Sequence, residues 1–97
     1  MRLQTRIINK LKSAIQYGFG DVNVYLFGSR VDDSKKGGDI DIAIESDMSR
    51  EDFRKNKIKT ITYLTHIGFD FPIDIVNYNT KDELLKNQIL STGQKLF

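Results

Sequence analysis

Three aspartates have the residue type and spacing to do chemistry. Asp39 and Asp41 flank Ile40 in the run Asp39-Ile40-Asp41-Ile42-Ala43-Ile44-Glu45, whose period of two is that of a β-strand. On a strand, residues i and i+2 share a face with Cα atoms about 6.5–7 Å apart, so both carboxylates can converge on cations between them. Hard oxygen ligands of this kind select Mg²⁺ or Mn²⁺. Two such ions about 3.5–4 Å apart clamp an in-line phosphoryl or nucleotidyl displacement, one activating the attacking oxygen and the other holding the triphosphate. Asp74 interrupts the apolar series Phe71, Ile73, Ile75 and Val76, a place where an unpaired buried carboxylate is costly and a neighbouring metal removes the cost. If its strand lies beside that of Asp41 in matched register, all three carboxylates reach one mouth. Asp74 can then also draw the proton from an acceptor hydroxyl.

A second feature suits anions. Gly28-Ser29 closes the apolar run Val22-Asn23-Val24-Tyr25-Leu26-Phe27, and Ser29 with Asp32 can cap a short helix whose free N–H groups attract negative charge. Gly28 allows close backbone approach, and the Ser29 hydroxyl with nearby N–H groups can hold a triphosphate opposite the aspartates.

Elements able to position these residues follow from periodicity. Leu3, Ile7, Ile8, Leu11, Ala14 and Ile15 recur at helical spacing over residues 3–17, with Gly18 and Gly20 as the stop. Residues 22–27 read as a strand covered on both faces, residues 30–38 as a half-turn of helix and an exposed loop, and 39–45 as the second strand. Ser49 and Asp52 form a capping box for a basic helix running to about His66, with Phe53, the Lys57 stem, Ile61 and Leu64 as its apolar stripe. A third strand covers 71–76, with Pro72 near its start, where a missing donor is tolerated. Thr80 and Glu83 form a capping box for a last helix through Leu84, Leu85, Ile89 and Leu90, closed by Gly93 and followed by a tail ending in Leu96-Phe97. This order predicts an α/β (α+β) domain spanning residues 1–97, a small mixed sheet packed against helices.

Composition narrows the class. The chain has 97 residues, with 15 Lys and Arg against 13 Asp and Glu, and no cysteine. A net charge of +2 does not mark an electrostatic nucleic-acid binder. The absence of cysteine removes disulfides, zinc-thiolate sites and thiol nucleophiles, and fits a reducing compartment. No apolar run has the length of a secretory signal or a membrane span, so the expected location is the cytoplasm, without membrane contact.

Blander readings compete with each motif. Asp39-Ile40-Asp41 alone fits a strand with two solvated carboxylates. A calcium loop over residues 39–50 fails, with Ala43, Ile44 and Arg50 at its fifth, sixth and twelfth positions. A P-loop fails too, since no Gly-Lys-Ser/Thr ending occurs between Gly28 and Gly38, and Lys35 and Lys36 read as solvated loop charges. His66 fits a helix C-terminus, and Arg50, Arg54, Lys55, Lys57 and Lys59 fit a charged outer helix face.

The joint pattern is more specific than its parts. Gly28-Ser29, nine residues, Asp39-Ile40-Asp41 and then Asp74 in a later strand together resemble the DNA polymerase β-like nucleotidyltransferase superfamily. At this length the chain is similar to the minimal nucleotidyltransferases, antitoxins paired with HEPN-domain toxins. The resemblance implies that Asp39, Asp41 and Asp74 bind two Mg²⁺ ions and carry catalysis. It further implies that Gly28, Ser29 and Arg30 contact the phosphates of ATP. The implied activity is transfer of AMP to a hydroxyl, such as a tyrosine of the HEPN partner; the sequence leaves open a homo- or hetero-oligomer. The alternative is a non-catalytic nucleotide-binding subunit that neutralises or regulates its partner by forming a complex.

Overall fold

The computed structural model describes residues 5–28 and 40–97; Ser29, Arg30, Asp39 and the expected half-helix and loop between them lie outside the described residues. The elements are α1 (Thr5–Phe19), β1 (Val24–Phe27), β2 (Ile40–Ile44), α2 (Arg50–His66), β3 (Ile73–Asn77), α3 (Glu83–Thr92) and β4 (Gln94–Lys95). The strands form one mixed sheet in the order β3-β2-β1-β4, with β2 antiparallel to β1 and parallel to β3. This is the mixed α/β arrangement expected, with one strand added. Gln94-Lys95 carries no apolar alternation, and only its antiparallel pairing with Tyr25 and Leu26 makes β4 a strand. The pairing continues as Leu96 N–H donates to the Val24 carbonyl at 2.7 Å and Val24 N–H to the Phe97 carbonyl at 2.9 Å.

The alternation of β2 splits the core. Ile40, Ile42 and Ile44 join Val24, Leu26 and Ile75 on one face, under Ile7, Leu11, Ala14 and Ile15 of α1 and Phe53 and Leu64 of α2. Ala43 joins Phe27 on the other face, under Ile89 of α3, with Tyr25, Val76, Tyr78 and Leu85 at its margin. There the rings of Tyr25 and Tyr78 stack with centroids 4.6 Å apart, and Lys86 Nζ lies 3.8 Å from the Tyr78 centroid. Burial, then the Glu45 charge, then Tyr78 push the Tyr25 hydroxyl above its ordinary value.

Two helix boundaries differ from the sequence expectation. Helix α1 continues through Gly18 and stops only before Gly20, whose N–H returns to the Gln16 carbonyl at 3.0 Å. Gly18 instead marks the α1–α2 crossing, where a Cβ would strike the Thr60 hydroxyl and lie 2.9 Å from the Asn56 carbonyl oxygen. Thr60 is fully buried at this crossing, its hydroxyl donating to that same carbonyl at 2.8 Å. Helix α3 is capped by Asp82, whose Oδ1 accepts the Leu85 N–H at 3.1 Å, and not by Thr80. Thr80 Oγ1 accepts the Asp82 N–H at 3.1 Å, a local turn that delays the helix by two residues. The Ser49 cap of α2 is as expected, its Oγ accepting the Asp52 N–H at 3.1 Å.

Gly18→Ala gains up to about 1 kcal/mol of helix propensity but overpacks a crossing for about 1–3 kcal/mol. Because one obstructing atom is backbone, the loss wins, and urea unfolding should show a lower midpoint for the variant. Asp82→Ala should cost about 1 kcal/mol in the same measurement and Thr80→Ala less. Above about pH 10 stability should fall further with pH in the native protein than in Tyr25→Phe, because the folded state resists losing the Tyr25 proton.

Candidate active site

Strand β2 is the most enclosed element of the sheet. Ile40, Ile42, Ala43 and Ile44 are fully buried, and only Asp41 among its residues retains partial exposure. Pairing places Asp41 opposite Phe27 of β1 and beside Asp74 of β3, so one row crosses three strands. Register partners in a parallel pair point to the same face, here the α3 side, with strands about 4.8 Å apart. The register that the sequence left open therefore sets the two carboxylates next to each other. Asp39 is outside the described residues.

The two acids sit in different surroundings. Asp41 occupies the central part of the row, whereas Asp74 is on the edge strand with 54% of its side chain exposed. Lys57 of α2 approaches that edge, its Nζ 3.7 Å from Asp74 Oδ1. Since α2 packs on the opposite face of the sheet, the Lys57 side chain passes the free edge of β3 to get there. At this exposure the contact is worth little to folding, and its consequence is to hold a cation beside the acid.

Gly28 borders Asp41 directly. Its φ of 79° is one that only glycine adopts without cost, and a Cβ there would lie 2.5 Å from Asp41 Oδ2. The Gly28 N–H donates to Thr92 Oγ1 at 3.1 Å, and the Thr92 hydroxyl donates to the Gln88 carbonyl at 2.7 Å. Gly28 is thus anchored by the last turn of α3 and offers closeness, its own N–H being already engaged. Sequence reasoning missed Thr92, which nothing in the spacing connects to Gly28. The contact of Lys57 with Asp74 has a visible signal, a cation inside an apolar helical stripe, which the sequence alone reads as a packing stem or as part of a charged outer face.

As a donor set, Asp41 and Asp74 supply hard oxygens from adjacent strands on one face, which suits a divalent cation such as Mg²⁺. Among the described residues no group of three His, Cys, Asp or Glu gathers into a metal cage. Two clefts among the described residues bear on the site. The larger, about 670 Å³, is lined by Lys12, Gln16, Asp21, Glu45, Asp47 and others at the far end of β2 from Asp41. The smaller, about 470 Å³, lies between α2 and β3 and includes Lys57, the partner of Asp74. The second lies on the α2 face of the sheet and is linked to the acidic row through Lys57 at the β3 edge. No helix among the described residues is long and apolar enough to cross a membrane.

No curated protein matches the chain. Among solved structures, a toxin–antitoxin complex with AMP-PNP aligns with a TM-score of 0.70 at 20% identity, covering 93% of this chain and 72% of that one. A tri-AMPylated Shewanella oneidensis HEPN toxin in complex with MNT antitoxin aligns with a TM-score of 0.66 at 22% identity, covering 98% and 72%. The toxin–antitoxin pair MntA-HepT aligns with a TM-score of 0.69 at 20% identity, covering 97% and 72%. At these identities the likeness is one of fold. The sequence itself matches the family described as "Polymerase beta, Nucleotidyltransferase" over residues 9–97, nearly the whole chain. The chain belongs to the polymerase β-type nucleotidyltransferase family.

Proposed function

We propose that this chain is a Mg²⁺-dependent nucleotidyltransferase of the minimal antitoxin type, moving AMP from ATP to a hydroxyl, a tyrosine of a HEPN-domain toxin. The observation that carries the reading is the pairing of Asp41 with Asp74 on one sheet face, bordered by side-chain-free Gly28. Support for the nucleotide and the acceptor comes from structural neighbours, one solved with AMP-PNP and one with an AMPylated HEPN toxin. An ATP-dependent reaction on such a partner belongs in the cytoplasm.

In this reading Asp39, Asp41 and Asp74 hold the ions, and Gly28, Ser29 and Arg30 meet the triphosphate. Bound Mg²⁺ supplies charge neutralisation and polarisation of the phosphoryl oxygens. Asp41, partly enclosed, keeps a fixed orientation for the nucleotide end of the site. Asp74, open at the edge strand, takes the proton of the acceptor hydroxyl as its oxygen bonds to the α-phosphorus and pyrophosphate leaves. Lys57 fixes the Asp74 carboxylate from the outer side. The acceptor therefore enters at the β3 edge.

A second reading has its own observation. Leu84 and Leu90 of α3 are 83% and 59% exposed, apolar surface that a tightly bound partner would cover. Neutralisation by complex formation alone, with nucleotide as a regulator, accounts for that surface equally well.

Incubation with the HEPN protein, ATP and Mg²⁺ should add adenylyl mass to the partner, read by intact-mass spectrometry. Asp41→Asn should reduce that gain on the order of a hundredfold or more, and chelation of the metal should abolish it. Partner rescue that survives Asp41→Asn without any mass gain would instead establish neutralisation by binding. Gly28→Ala should cost about 1–2 kcal/mol in stability from its φ, and should lose transfer far beyond that because its Cβ displaces Asp41.

A further inference from the structure

We infer that the cleft between α2 and β3 binds an acidic polypeptide segment of the acceptor, next to the hydroxyl that reaches Asp74. This rests on the transfer reading above and names the substrate class for that site.

The cleft is built by one helical stripe. Arg50, Phe53, Arg54 and Lys57 recur at i, i+3, i+4 and i+7 on α2 and face Ile75 of β3. Phe53 and Ile75 are both buried and form an apolar floor, while Arg50 and Arg54 are exposed on its rim. The single acid of the lining, Glu51, already has Lys55 as a partner at 3.8 Å. Neither Arg50 nor Arg54 makes an ion pair among the described residues. Two unspent guanidinium groups and one ammonium thus surround an apolar floor, which is complementary to carboxylates flanking an apolar side chain.

Position puts the cleft next to the acceptor path. Its floor lies on the α2 face of the sheet, and Lys57, which lines it, also contacts Asp74 at 3.7 Å around the β3 edge, so a chain seated there ends beside the edge at which Asp74 is exposed. Carboxylates placed directly against Asp41 and Asp74 would be repelled. The α2 cations give an acidic acceptor segment a place to be held beside that row and not on it. RNA would meet the same cations, but no exposed aromatic face lines the cleft for base stacking. The observations therefore favour polypeptide.

The test is binding to the full chain without ATP or metal, so that it does not depend on transfer. Fluorescence anisotropy would compare a labelled glutamate–tyrosine copolymer, a lysine–tyrosine copolymer and single-stranded polyuridylate. The acidic copolymer should bind, weaken with added salt, and lose about tenfold or more in affinity with Arg50→Ala plus Arg54→Ala, while Arg50→Lys plus Arg54→Lys retains most of it. In the transfer assay the alanine pair should raise the acceptor KM with kcat held. Equal binding of both copolymers, preference for polyuridylate, or no loss with the alanine pair would overturn the inference. Acidic-copolymer binding lost in the alanine pair, with no transfer by the native protein, would overturn the transfer reading and leave a peptide-binding cleft standing.

Discussion

Parallel pairing between β2 and β3 is the constraint on which the site depends. It places Asp41 beside Asp74 on one face, where two like charges disfavour each other. Exposure of Asp74 screens much of this, and Lys57 offsets more. The rest must be tolerated because the alternative registers are worse. A slip of one residue would turn Ile40, Ile42 and Ile44 out of the core and Asp41 into it. Apolar burial therefore enforces an electrostatically unfavourable neighbourhood, the condition under which a cation is strongly attracted.

Parallel strands require a crossover, and here it is α2. The seat of α2 is set by its crossing with α1 at Gly18 and Thr60, on the face away from the acids. The close approach fixes how far α2 lies over the sheet, and hence that Lys57 can pass the edge of β3. On the opposite face α3 performs a matching task, since its Thr92 holds the Gly28 backbone against Asp41. Neither helix contributes an acid to the row. Both determine where the acids and the glycine bend meet.

What was legible in the sequence follows the range of the forces involved. The alternation in β2, the Ser49 cap and the apolar stripe of α1 are local, and each is written within a few residues. Gly18 was misread because a glycine near a helix end has two uses, stopping the helix or admitting a neighbour, and only the position of Thr60 distinguishes them. Thr80 and Asp82 are both good caps two residues apart, and the choice depends on a turn closed by the Thr80 hydroxyl. Strand β4 has no pattern of its own and exists through β1. Within the site, the acids and Gly28 were visible by type and spacing, whereas Thr92 is joined to Gly28 only by the fold.

In the proposed reaction the uneven exposure of the row would set a direction. On the β1 side, β4 occupies the outer edge of the sheet, and Phe27 beside Asp41 is buried. On the β3 side the edge strand carries the exposed acid and the cationic cleft. A nucleotide held at the Gly28 bend and an acceptor arriving at β3 would therefore approach Asp41 and Asp74 from different ends of one row. In-line displacement needs that separation, since the attacking oxygen and the leaving pyrophosphate must lie on opposite sides of the phosphorus. Sheet order, with β1 interior and β3 at the edge, fits that separation.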